Sequence, residues 1–234
     1  MTSTELTEAA GAWVGAHVDG PDRTVGLVAC DRGETVHVSV RDGWITLADG
    51  ADGDIDPELV IEGGAVAMHG LLSGRGRLAE LTTVRARTRS GALFALPPGD
   101  IFVHLPAVDA PVIADADVVV NARMLDTPLG DRDYFVVFSE GRPRVWGEGV
   151  FADADLEAEL PYEGHLLWAA GRCSILEAYW GPGGSLSGDL PELMVAGGLY
   201  TRPEFTAGMC RLPEDAFEPL CRFRDLARAG REQT

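Results

Sequence analysis

Apolar and polar positions alternate over three successive segments in the first part of the chain. Apolar side chains recur at alternate positions within residues 25–29, 36–40 and 44–47, and the segments are separated by Asp- and Gly-containing stretches at 31–33 and 41–43. A period of two is the spacing of side chains on one face of a β-strand, and Asp-Gly pairs are typical of hairpin turns. The pattern therefore predicts three antiparallel strands joined as a meander.

Helical spacing of apolar residues flanks this meander on both sides. Apolar side chains between residues 6 and 14 fall on one face of a helix, and Ser3 or Thr4 can cap its acidic first turn. A fourth apolar segment at 55–61 is followed by residues 63–74, which predict a second helix. The first part of the chain is therefore predicted to mix strands and helices around one sheet.

The same order of elements recurs after a proline-rich stretch at 97–111. The patterns predict strands at 117–124, 134–139, 144–150, 154–160 and 185–188, and helices from 165, from 189 and from 213. We interpret the proline-rich stretch as a joint between two halves, residues 1–110 and residues 111–234. The predicted fold class is α+β, with each half a mainly antiparallel sheet covered by helices.

Two short matches between the halves favour an internal duplication. The segment ELVIEG at 58–63 is similar to ELPYEG at 159–164, which lies 101 positions later, and Gly-Arg at 74–75 recurs at 171–172, which lies 97 positions later. The change of offset predicts that the helix in the second half is shorter by four residues, about one helical turn.

Charge and composition narrow the classes of partner. The chain has 19 basic and 37 acidic residues and a formal charge of −18, which disfavours nucleic acid. Every basic residue is Arg, a bias typical of a GC-rich bacterial genome. The acidic N-terminal segment and the lack of a long apolar stretch favour a cytoplasmic protein without stable membrane insertion. Two fused halves also favour a monomer or a weak dimer.

The metal-binding residue types are dispersed. Cys30, Cys173, Cys210 and Cys221 form no C-x-x-C pair, and the five histidines show no same-face pairing. The sequence therefore predicts no metal site and no cofactor.

A concentration of basic residues lies at Arg85, Arg87 and Arg89, which alternate with small residues. On a strand this alternation places the three guanidinium groups on one face. A solvated outer face is the favoured interpretation. The alternative is a patch for an acyl carrier or a coenzyme A thioester, since arginine suits carboxylate and phosphate groups.

Aromatic and titratable residues cluster around the start of the predicted helix at 165. Glu163, His165 and Trp168 are followed by Tyr179 and Trp180. A half-buried Glu163 or His165 could act as an acid or base, although core packing explains the same residues. The segment 189–200 is apolar over more than one stripe, which favours burial or a ligand boundary.

Residues 115–208 resemble the sterol carrier protein type two family in its diverged bacterial form. The resemblance is carried by ADLEAELPY at 154–162, AGR at 170–172, SILEA at 174–178, and SLSGD at 185–189 running into LPELM at 190–194. Residues 25–96 resemble a more degenerate copy, in which Ala92 stands where the second half has Asp189. The resemblance implies an apolar tunnel for sterols, fatty acids or acyl-coenzyme A thioesters, without a catalytic triad or a metal.

We therefore expect the second half to bind a hydrophobic small molecule in an apolar cavity: a lipid, a sterol, an acyl chain, a polyketide or a terpenoid. The predicted wall residues are Leu166, Leu167, Trp168, Tyr179, Leu193, Met194 and Leu199. One alternative is an enzyme of secondary metabolism, a cyclase or isomerase acting on a hydrophobic intermediate in the same cavity, with Tyr162, Glu163, His165 or Tyr179 as acid or base. Another alternative is a protein-docking role for the degenerate half.

Overall fold

The first part of the chain forms a six-stranded mixed sheet with two helices. The computed structural model describes residues 5–49, 54–76, 84–96, 118–139, 142–188 and 212–234. The elements of this part are α1 (Glu5–Gly11), β1 (Arg23–Ala29), β2 (Glu34–Arg41), β3 (Trp44–Asp49), β4 (Leu59–Gly63), α2 (Ala65–Ser73), β5 (Arg85–Thr88) and β6 (Leu93–Ala95). The strand order is β3-β2-β1-β4-β5-β6.

The predicted meander of β1, β2 and β3 is confirmed. Its strands pair antiparallel, with Val25 opposite Val38 and Leu27 opposite Val36 on a buried face. Asp42 and Gly43 both have positive φ, 50° and 81°, which is the backbone of a two-residue type I′ hairpin turn. The Asp-Gly pair therefore determined this turn, as the sequence predicted.

A five-stranded mixed sheet forms in the second part of the chain. Its elements are β7 (Val118–Leu125), β8 (Arg132–Ser139), β9 (Arg142–Glu148), β10 (Leu156–Pro161), α3 (Tyr162–Ala169), α4 (Ile175–Trp180) and β11 (Ser185–Gly188). The strand order is β11-β10-β7-β8-β9. Within the described residues each sheet has one parallel pair, β1 with β4 and β7 with β10, and the other pairs are antiparallel. The predicted α+β class is confirmed.

The two sheets share one order of connection. In each, a meander of three strands is followed by a strand parallel to the first, a helix, and an antiparallel strand beyond it. Helix α2 begins at Ala65 and α3 at Tyr162, a separation of 97 residues, and Gly74 and Gly171 are separated equally. The sequence match of 58–63 with 159–164, at an offset of 101 residues, therefore does not correspond to the structural alignment of the two sheets. The predicted loss of a helical turn is wrong, since α2 has nine residues and α3 has eight.

The C-terminal helix α5 (Phe217–Glu232) lies in the first structural unit. Unit 1 consists of Met1–Leu96, Pro128–Gly130 and Pro213–Thr234, and unit 2 of Pro97–Thr127 and Asp131–Leu212. The prediction that this helix belongs with the second half is thus corrected. The physical reason is long-range packing: Arg222 lies 3.0 Å from Glu58, and Thr88 donates a 3.0 Å hydrogen bond to Asp215 just before the helix.

Close packing of α5 on Trp13 gives a first testable prediction. Gly230 touches the indole, so an added Cβ would overlap the ring. Trp13 is fully buried, and its Nε1 donates a hydrogen bond to the carbonyl of Leu72 at 3.2 Å. Both features restrict movement of the ring away from an added Cβ. Gly230→Ala should lower the free energy of unfolding of unit 1 by about 1–3 kcal/mol in denaturant melts. The control Gly11→Ala, where an added Cβ meets open space, should leave it within about 0.5 kcal/mol.

Among the helices of the described residues, none is long and apolar enough to cross a membrane.

Candidate functional site

Strand β10 leads directly into α3, which contains six of the predicted site residues: Tyr162, Glu163, His165, Leu166, Leu167 and Trp168. Along β10, Leu156, Ala158 and Leu160 are buried, whereas Glu157 and Glu159 are exposed. Pro161 has extended dihedrals and precedes the first helical residue, so the helix begins at 162, three residues before the predicted start. The transition places the first turn of α3 beside the apolar face of the sheet.

One face of α3 is buried along its whole length. Tyr162, His165, Leu166 and Ala169 are the buried residues of the helix, at the i, i+3, i+4 and i+7 spacing of a single helical stripe. Leu167 and Trp168 are half-buried, and Glu163 is exposed. The half-buried position considered for Glu163 is therefore not observed.

Three rings form a row along this helix. The ring centroids of Tyr162 and His165 lie 6.4 Å apart with the planes nearly parallel, at 12°. The centroids of His165 and Trp168 lie 5.5 Å apart at 60°. The imidazole is thus held between two aromatic side chains one turn away on either side.

His165 combines deep burial with an unsatisfied polar atom. The residue is 1% exposed, and its Nε2 is buried with no hydrogen-bond partner within the described ranges. Loss of hydration lowers the pKa of His165 to about 3, so the imidazole is neutral at physiological pH. A buried polar atom without a partner costs about 1–3 kcal/mol and needs an explanation.

Two further buried tyrosines, besides Tyr162, belong to the same unit. Tyr179 lies on α4, and burial raises the pKa of its phenol to about 12. Burial also raises the pKa of Tyr134 on β8, and the neighbouring Tyr179 raises it further. Both phenols therefore remain neutral hydrogen-bonding groups.

Helix α4 was not predicted as a helix, although the sequence carried a signal for it. The Ser174 side chain accepts from the Glu177 backbone at 3.1 Å, and the Glu177 carboxylate accepts from the Ser174 backbone at 2.7 Å. This reciprocal pair is a capping box, and the Ser-x-x-Glu spacing in the sequence indicates such a motif. Recognising it would have placed Tyr179 on a helix.

Three predicted wall residues, Leu193, Met194 and Leu199, lie outside the described residues. Of the others, Leu166 and Tyr179 are buried in unit 2, and Leu167 and Trp168 are partly accessible. Whether these side chains line a cavity remains a prediction.

A polar cavity of about 330 Å³, which the sequence analysis missed, lies in unit 2. The β-ladder brings its side chains together, because Glu157 pairs with Asn121, and Glu159 with Arg123. Its polar lining residues are Asn121, Arg123, Asp133, Glu157, Glu159, Ser185 and Ser187. Alternating polar positions on adjacent strands were the available signal.

The side chains of this polar cavity largely satisfy one another. The Asn121 amide donates at 2.8 Å to both the Phe151 carbonyl and Glu157, and its oxygen accepts from the Phe151 backbone at 2.8 Å. Arg123 lies 3.3 Å from Asp131 and 3.9 Å from Asp133. The cavity is therefore a self-paired polar surface, distinct in character from the apolar cavity that was predicted.

The basic residues of β5 are exposed on one face, as their alternation predicted. Arg85 and Arg87 are exposed on β5, and Arg89 is exposed just after it. Arg87 forms an ion pair with Glu62, and Arg89 Nε lies 3.1 Å from Asp56. These carboxylates reduce the excess positive charge, and the acyl-carrier or coenzyme A partner remains a prediction. Within the described ranges no group of three or more His, Cys, Asp or Glu residues is arranged to hold a metal ion.

Comparison with known proteins gives low similarity throughout. No protein-family model and no curated protein matches the chain. Among solved structures, palmitated SCP2L2 from Aedes aegypti is 19% identical, covers 36% of this chain and 73% of its own, and has a TM-score of 0.31. The sec-alkylsulfatase Pisa1 from Pseudomonas sp. is 14% identical, covers 37% of this chain and 12% of its own, and has a TM-score of 0.24.

Proposed function

We propose that unit 2 binds a hydrophobic small molecule beside α3, along the apolar face of its sheet. The observation that supports this proposal is His165, whose buried Nε2 has no hydrogen-bond partner among the described residues. A bound molecule would supply that partner, and its apolar part would contact Trp168, which lies next to His165 on the same helix and is partly accessible. Burial of apolar surface at about 25 cal/mol per Å² would drive binding.

The rest of the proposed wall comes from the sequence. Leu193, Met194 and Leu199 belong to the apolar segment 189–200, and Leu166 and Tyr179 contribute buried side chains in unit 2. In this proposal they enclose the apolar part of the ligand. A lipid, an acyl chain, a sterol, a polyketide or a terpenoid has the required character.

Binding is favoured over catalysis by the protonation states of the buried groups. An acid or base works best when its pKa is near the operating pH. The pKa of His165 is lowered to about 3 and that of Tyr179 is raised to about 12, so neither exchanges protons readily near neutrality. Glu163 is exposed on α3. The proposed site therefore holds its ligand through contacts and hydrogen bonds.

Mass spectrometry of the full chain tests the proposal. Native spectra should show a small molecule that is released when the protein is denatured. Trp168→Ala removes a ring that packs 5.5 Å from His165, so we expect the retained fraction or the affinity to fall by about tenfold or more. The matched control is Trp180→Ala, since Trp180 is 55% exposed on α4.

Two results would contradict the proposal. One is a protein that is empty as purified and also fails to bind added dodecane, dodecan-1-ol and dodecanoate. The other is equal loss of binding in the two tryptophan variants, because that would place the ligand away from α3.

A further inference from the structure

The environment of His165 carries information about the polar group of the ligand. Its ring lies between Tyr162 and Trp168 on the buried stripe of α3, which fixes the position of Nε2. We infer that the ligand of unit 2 carries an uncharged hydroxyl group that hydrogen-bonds to Nε2 of His165. This inference rests on the proposed function and specifies the class of ligand as a hydrophobic alcohol.

The hydrogen-bonding inventory of imidazole favours a hydroxyl. A neutral imidazole has one nitrogen that donates through its N–H and one nitrogen that accepts. The tautomer decides whether Nε2 is the donor or the acceptor. A hydroxyl both donates and accepts, so it satisfies Nε2 in either tautomer. A carbonyl satisfies it in only one of them.

A carboxylate does not suit this position. Transfer of an ionised carboxylate into an apolar layer is costly unless a cation accompanies it. The charged groups on and next to the two helices of unit 2 are Glu163, Arg172 and Glu177, and all three are exposed. On β10 the inward side chains are Leu156, Ala158 and Leu160, and the phenols of Tyr134 and Tyr179 are neutral. Among the described residues of α3, α4 and β10, therefore, none supplies a buried positive charge to this layer. Arg132 shares the face of β8 that carries Tyr134, is half-buried, and donates to the Asp131 carbonyl at 3.1 Å.

A plain hydrocarbon does not suit it either, because Nε2 would stay without a partner. Sites with a buried hydrogen-bonding group discriminate against analogues that lack the matching group. An alcohol should therefore bind about tenfold more tightly than the alkane of equal chain length. His165 is then a specificity-determining residue.

Equilibrium dialysis of the full chain at pH 7.5 tests this with three radiolabelled probes: dodecan-1-ol, dodecanoate and dodecane. We expect the wild-type protein to bind dodecan-1-ol about tenfold more tightly than either other probe. His165→Phe should bind dodecan-1-ol and dodecane equally, and His165→Gln, which keeps a donor and an acceptor, should retain part of the preference.

The wild-type ranking decides the inference even where a variant fails to fold. Equal affinity for the three probes, or tighter binding of dodecanoate, would overturn the hydroxyl inference and leave the proposed function intact. Binding of none of them would overturn both. As an independent readout, dodecan-1-ol should shift the imidazole nitrogen resonances of His165, and unchanged resonances in the presence of bound alcohol would contradict the contact.

Discussion

Phe223→Ala should lower the free energy of unfolding of unit 1 by about 3–5 kcal/mol and leave unit 2 unchanged. Phe223 is fully buried on α5, together with Leu220 and Leu226 on the same face. Removing the ring leaves a cavity where the helix packs in unit 1. Native-state hydrogen exchange measures the effect separately in each unit: amides of β1 and β4 should lose protection, whereas those of β7 and β10 should keep theirs.

Arg228→Ala is the control for that substitution. Arg228 is exposed on the same helix and pairs with Glu232 at 3.5 Å, a surface contact of small energetic value. We expect a change within about 0.5 kcal/mol. Equal loss of protection in both units after Phe223→Ala would show that α5 does not stabilise unit 1 selectively.

Acidification should destabilise unit 2 through His165. In the unfolded chain this histidine takes up a proton below about pH 6.5, whereas in the folded state it stays neutral down to about pH 3. The unfolded state therefore binds more protons in this window, and stability falls as the pH falls. Between pH 7.5 and pH 4.5 the contribution is about 2–3 kcal/mol.

Comparison with His165→Phe isolates this contribution from the titration of the many carboxylates. The free energy of opening, measured by hydrogen exchange at β7 and β10, should drop by about 2–3 kcal/mol more in the wild type than in the variant. His69→Gln alters a histidine on α2, which belongs to unit 1, and should leave the free energy of opening at β7 and β10 as it is in the wild type. If wild type and His165→Phe lose the same stability, the histidine is not buried in its neutral form.

Local patterns accounted for most of the elements. The alternation in β1, β2 and β10 and the Asp42-Gly43 turn are decided by neighbours in sequence, so the strands and the meander were predictable. Helix α3 begins three residues before its predicted start, because Pro161 directly before it favoured an extended segment. The capping box of α4 was present in the sequence and was overlooked.

Contacts between distant residues were not predictable in the same way. The parallel pairing of β1 with β4 joins two strands that are separated in the sequence by β2 and β3. The docking of α5 depends on Gly230 against Trp13 and on Arg222 beside Glu58, pairs that no local pattern specifies. For the candidate site, the residue types of α3 were identified, but the isolation of the His165 Nε2 depends on tertiary burial.

Because α5 belongs to unit 1, the ribosome completes that unit last. It must first synthesise residues 97–212, a stretch of 116 residues that contains all of unit 2. At about 5–20 residues per second this takes on the order of 10 seconds. Throughout that interval the apolar surface that Phe223 and Leu226 later cover is open to chaperones and to neighbouring nascent chains. The sheet of unit 2 lies entirely within those residues, so unit 2 can fold during this interval. Unit 2 begins later in the sequence than unit 1 but is completed earlier.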